Sequence, residues 1–139
     1  MGKFKYIESQ EYKYKVVPEK GLVICECTVK LDWYKLPNNI WEITKLKVLD
    51  KYNKNLDTSW PEFRLRAVAR THPNDTFSEK TGKRIAKSKV NIKLYRILEH
   101  CVKLMADDLY TTAYHATRCK ESIYELRLRE HDHLKELSK

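Results

Sequence analysis

An α+β fold is predicted from three features of the chain. Period-two alternation is confined to the first half, no proline follows Pro73 and no glycine follows Gly82, and the second half carries apolar residues at a spacing near 3.5. Together they predict one domain over residues 1–139. Its sheet half spans 1–71 with about four antiparallel strands, and its helical half spans 76–139 with two helices.

The strands follow in order. Tyr12 to Val17 interleaves Tyr12, Tyr14 and Val16 with lysines, and Pro18 to Gly21 supplies a turn. Leu22 to Leu31 points Val23, Cys25, Cys27, Val29 and Leu31 one way and Ile24, Glu26, Thr28 and Lys30 the other, so the two segments read as a hairpin. Ile40 to Leu49 and Phe63 to Arg70 show the same period. In the latter, Phe63, Leu65, Ala67 and Ala69 share one face, and Arg64, Arg66, Val68 and Arg70 form a basic, solvated one. Pro37-Asn38-Asn39 and the stretch Asn53 to Pro61 carry loop chemistry suited to a meander.

From Lys83 the remaining 57 residues would extend about 85 Å as a single helix, too long for a small domain, so a break is expected around Asp107 to Cys119. The apolar surface there includes Tyr95, Leu98, Val102, Leu104, Tyr110 and Tyr114, more than one small sheet covers. Assembly as a homo-oligomer through the C-terminal helices is the expected remedy. The tail from Glu125 alternates in charge and reads as a solvated helix face.

A hydrophobic fraction of 42% places the chain among globular proteins, and a charged fraction of 34% calls for extended exposed surface. No apolar run reaches the roughly 18 residues of a membrane span, and the N-terminus lacks the apolar core of a signal peptide, so a cytosolic location is expected. Four cysteines in that compartment are expected as thiols. Cys25 and Cys27 share a strand face, and His115 and Cys119 stand at i, i+4, but there is no Cys-x-x-Cys pair. No metal and no cofactor are expected. Nor is catalysis: neither a nucleophile elbow nor a Walker loop occurs, and the neighbours Asp107 and Asp108 point about 100 degrees apart on a helix.

The net charge of +9 is concentrated. Arg64 to Arg96 holds ten Lys and Arg against Asp75 and Glu79, a balance of +8, while the residues before it sum to +2 and those after it to −1. Within this window Thr71 to Glu79 ends a strand at Pro73 and opens a helix. Thr76 with Glu79 matches a capping box, and Ser78 is a second N-cap candidate. Free amides at a helix mouth beside Lys80, Lys83, Arg84 and Lys87 favour an anion. Gly82 in the first turns implies close approach of a neighbouring backbone or a ligand. Arg64, Arg66, Lys83, Arg84 and Lys87 are the candidate phosphate contacts, with Tyr95 and Trp60 as candidates for stacking a base. Trp33, Tyr34 and Trp41 belong either to the core or to the same stacking inventory.

The segment Ala67-Val68-Ala69-Arg70-Thr71-His72-Pro73-Asn74-Asp75-Thr76-Phe77, followed by Gly82, Ile85, Ala86 and Lys89, resembles a module of small phage and prophage proteins of Firmicutes. In these a strand ends in a Pro-x-Asp-x-Phe turn and a helix opens with Gly-x-x-hydrophobic-Ala. Lys89 stands where arginine is more usual, and His72 where cysteine often sits. Size and layout resemble the Thoeris anti-defence sponge family of phages. That resemblance implies a homo-oligomer that binds and sequesters a small anionic cyclic nucleotide, a cyclic ADP-ribose isomer or a cyclic oligonucleotide, without cleaving it, in the cytoplasm of a bacterial host. The alternatives are a nucleic-acid-binding module using the same basic face and an inhibitor that binds a host defence protein directly.

Overall fold

The computed structural model describes residues 4–52 and 62–139. The chain divides into two compact units, Met1–Met105 and Ala106–Lys139. Among the described residues, no helix is long and apolar enough to cross a membrane.

The first unit is a three-stranded antiparallel sheet in the order β1-β2-β3 (Ile7–Val17, Leu22–Leu31 and Glu62–Arg70), with helices α1 (Ile40–Tyr52) and the start of α2 (Glu79–Leu137). The hairpin expected from Pro18 to Gly21 is formed, with register Val16↔Val23, Tyr14↔Cys25 and Tyr12↔Cys27. Gly21 closes it at φ 61, a left-handed conformation, and a Cβ there would also sit 3.2 Å from the Cβ of Thr71. Both reasons call for glycine. β3 completes the sheet through Cys25↔Ala67 and Cys27↔Leu65.

Because side chains alternate across a strand, this register sorts the residues into two faces. Val23, Cys25, Cys27, Val29 and Leu31 are buried together with Ala67 and Ala69, and they meet Ala86, Val90, Leu94, Leu98, Cys101 and Met105 of α2 in one core. The α2 residues repeat at intervals of three and four, the stripe a helix presents to a sheet. Gly82 gives the closest approach: a Cβ there would lie 2.5 Å from Cγ2 of Val23. The close neighbour is thus a side chain of the sheet rather than the backbone expected.

Two expectations are corrected. Among the described residues the sheet has three strands rather than about four, because Ile40 to Leu49 is helical. Trp41, Thr44 and Val48 are buried at i, i+3 and i+7, a helical face, and the Thr44 hydroxyl donates to the Ile40 carbonyl at 2.9 Å. The entry is fixed by Asn38 and Asn39 at φ 58 and 55, a left-handed bend that asparagine tolerates and an extended strand start does not. Period-two alternation arises there because Ile43 and Leu46 are exposed, at 56% and 77%. Trp33 and Trp41, weighed as base platforms, instead stack on one another in the core at 6.1 Å, with Phe4 and Tyr6 packed around Trp33.

The second correction concerns α2, which runs as one helix from Glu79 to Leu137 with no break at 107–119. The expectation of a break assumed that the whole length packs on the sheet. Burial in fact ends at Met105, and no residue of the second unit is buried. A run without proline or glycine has no reason to stop where packing stops.

Candidate functional site

The expected phosphate contacts fall in three separate places. Arg64 and Arg66 lie on the face of β3 turned away from α2, and the Arg64 side chain is 83% exposed, with Glu62 3.6 Å away. Lys83 and Lys87 lie on the other side of the sheet, over tyrosine rings of β1: Lys83 is 5.6 Å from the Tyr14 centroid and Lys87 is 4.7 Å from that of Tyr12. Lys83 also pairs with Glu79 at 3.7 Å. Arg84 is exposed on α2. Tyr95, 52% exposed, borders a shallow apolar depression with Phe4, Leu98 and Val102, about 20 Å along the helix from Gly82. Trp60 lies outside the described residues. The strand that carries Arg64 and Arg66 therefore separates them from the helix cations, because alternation sends them to the opposite face from Leu65 and Ala67.

Two further cations of the basic window are held by main chain. Lys89 Nζ donates to the Val68 carbonyl at 3.1 Å and Lys93 Nζ to the Arg66 carbonyl at 2.6 Å. On the β1 side, the Tyr12 hydroxyl donates to Asn91 Oδ1 at 2.6 Å, and Gln10 Nε2 contacts the same hydroxyl. Burial pushes the Tyr12 phenol up to about 12, with Cys27 and Tyr95 adding to the effect.

What the fold does assemble is a recess of about 300 Å³ where β3 runs into α2. Its apolar lining comes from Val23, Ala69, Phe77 and Ile85. Arg70, which alternation groups with Arg64 and Arg66, lines it as the last residue of β3, beside the imidazole of His72, the carboxylate of Asp75 and the hydroxyls of Thr71, Thr76, Ser78 and Thr81. Pro73 ends the strand, and the His72 carbonyl accepts from the Asp75 amide at 2.9 Å, closing the turn. Thr71 N–H donates to the Gly21 carbonyl at 2.8 Å, anchoring the end of β3 to the hairpin.

The N-cap is Ser78, whose Oγ accepts from the Thr81 amide at 3.3 Å. Thr76 and Glu79 do not form the expected box, since Glu79 already starts the helix and turns to Lys83. The amides at the start of α2 lack intrahelical carbonyl partners by construction and sit at the positive end of the helix dipole. His72 Nδ1 accepts from the Asn74 amide at 3.3 Å, so in the neutral ring the proton is on Nε2, available as a donor. Arginine, imidazole and helix-start amides together suit a phosphate, and the Asp75 carboxylate can accept from a sugar hydroxyl or base amine.

Sequence reasoning identified the turn but assigned the contacts to its more densely charged neighbours. Arg70, His72 and Asp75 were legible as members of the turn, and that was the available signal. All four cysteines are free thiols. Cys25, Cys27 and Cys101 are buried and Cys119 is exposed. Burial pushes Cys101 up to about 12. Among the described residues, no three or more His, Cys, Asp or Glu side chains gather as a metal site.

No family model, curated protein or solved structure matches this chain.

Proposed function

We propose that the chain binds a small phosphorylated ligand, of the cyclic-nucleotide class, in the recess between β3 and α2 and withholds it without turning it over. The observation that carries this reading is a coincidence of position. The segment resembling the phage module, from Ala69 through Phe77 and on to Gly82 and Ile85, supplies most of the lining of that recess. Its volume lies at the lower end of the roughly 300–1,000 Å³ of small-molecule sites, so one nucleotide unit rather than a polymer would be enclosed. Arg70 takes phosphate, Phe77 and Ile85 offer apolar contact to a base, and Asp75 discriminates for a ligand that also donates. Binding without turnover is supported by Ser78, whose hydroxyl is committed to Thr81 as the helix cap rather than to a base. The phage origin and host cytoplasm rest on the same resemblance.

A thermal-shift panel of cyclic ADP-ribose isomers, cyclic dinucleotides and cyclic trinucleotides tests this. At least one is expected to stabilise the protein and to be recovered intact after heat release. A panel with no stabilising member contradicts binding, and recovery of a cleaved product contradicts withholding.

A second reading is favoured by the open face of the sheet. Lys13, Lys15, Lys30, Arg64 and Arg66 stand there against Glu11, Glu26 and Glu62, with no helix of the described residues over them. A nucleic acid there would be held chiefly by its backbone. Such binding falls steeply with salt, whereas enclosure in the recess keeps much of its affinity, and the two are separated by titration at two ionic strengths.

A further inference from the structure

We infer that two copies of this chain pair through the distal part of α2 as an antiparallel coiled coil, in which Ala116 of each copy meets Cys119 of the other. The inference goes beyond ligand binding and rests on residues 106–139 alone. None of them is buried, although Ile123 and Leu126 are large and apolar and are more than half exposed. A helix of this kind gains most of its stability from packing, so a segment with no buried residue calls for a partner.

The seam is legible in the spacing. Leu109, Thr112, Ala116, Cys119, Ile123 and Leu126 follow at alternating intervals of three and four, the a and d positions of a heptad. The small residues Ala116 and Cys119 at its centre allow close approach. The occupant is a second copy because of charge. In a chain of +9, this segment carries six Lys and Arg against seven Asp and Glu, so two copies meet here without the repulsion they would face elsewhere.

Charge also sets direction and register. Antiparallel pairing of Leu109 with Leu126 and of Thr112 with Ile123 places Asp108 opposite Arg129 at the flanking g positions, twice by symmetry. The e positions then pair alanines, Ala113 and Ala106, with Lys120 and Arg127. Sliding one heptad further sets Lys120 against Lys120 and Asp108 against Glu136. A parallel pair would stack Glu130 on Glu130 in the seam and oppose no unlike charges.

Sedimentation equilibrium of the full chain at micromolar concentration tests the pairing, with helicity by circular dichroism confirming that each variant is folded. The wild type is expected to be dimeric. Arg129→Asp should weaken the dimer by about tenfold, and adding Asp108→Arg to it should restore the wild-type constant. A monomeric wild type, an association indifferent to Arg129→Asp, or a double variant that stays weak would each overturn the inference.

Discussion

Lys93 reaches across to β3, the outer strand of the described sheet, and donates to the Arg66 carbonyl at 2.6 Å, and Lys89 does the same to Val68 at 3.1 Å. The match is geometric: four residues of helix rise about 6 Å, close to the roughly 6.6 Å between alternate residues of a strand. Two ammonium groups thereby cover carbonyls that would otherwise template another strand. They also leave the pool of cations available to a ligand. The Lys89→Met and Lys93→Met double variant keeps the stems and removes the donors. It should lose about 1 kcal/mol per bond in denaturant unfolding and scatter light earlier on heating than the wild type. Unchanged midpoint and scattering would mean that the edge needs no cover.

Gly82 faces Val23 so closely that a methyl group would enter Cγ2 at 2.5 Å. Gly82→Ala should therefore destabilise the chain by about 1–3 kcal/mol through overpacking, although alanine favours helix by about 1 kcal/mol. Val23→Ala makes room. In a double-mutant cycle, the alanine at 82 should become neutral or stabilising once Val23 is trimmed, and additive costs would place the conflict elsewhere.

Cys101 and Tyr12 are both pushed up to about 12 in the folded chain, from 9.0 and 10.0. Above about pH 9 the unfolded chain loses these protons while the folded chain retains them. Their contribution to stability is therefore full below that point and declines as pH rises toward 12. Urea midpoints measured across this window should fall with pH, and Cys101→Ala should flatten the early part of the fall. The same burial predicts that under native conditions Cys119 reacts first with a thiol reagent, and that Cys25, Cys27 and Cys101 react on unfolding.

How much of this was legible in the sequence follows from which signals are local. The hairpin Tyr12 to Leu31 was readable because alternation, turn and register agree within twenty residues. Ile40 to Leu49 was not, because exposed Ile43 and Leu46 imitate a period of two that burial of Trp41, Thr44 and Val48 contradicts. The sorting of the basic window depends on tertiary placement. Arg66 and Lys93 are both cations within 30 residues, yet one faces outward and the other donates to the first one's carbonyl. Charge density located the neighbourhood of the recess, while its lining, Arg70, His72 and Asp75, required the strand end and the helix start to be seen together.

The recess, and not the open sheet face, is the proposed seat of the ligand. Isothermal titration of a stabilising cyclic nucleotide against wild type, Arg70→Ala and the Arg64→Ala and Arg66→Ala double variant tests it most directly. Loss of a charge-assisted phosphate contact in Arg70→Ala should weaken binding by about ten- to a hundredfold, with the double variant within about twofold of wild type. Intact binding by Arg70→Ala together with loss in the double variant would contradict the account and move the site to the open face of β3.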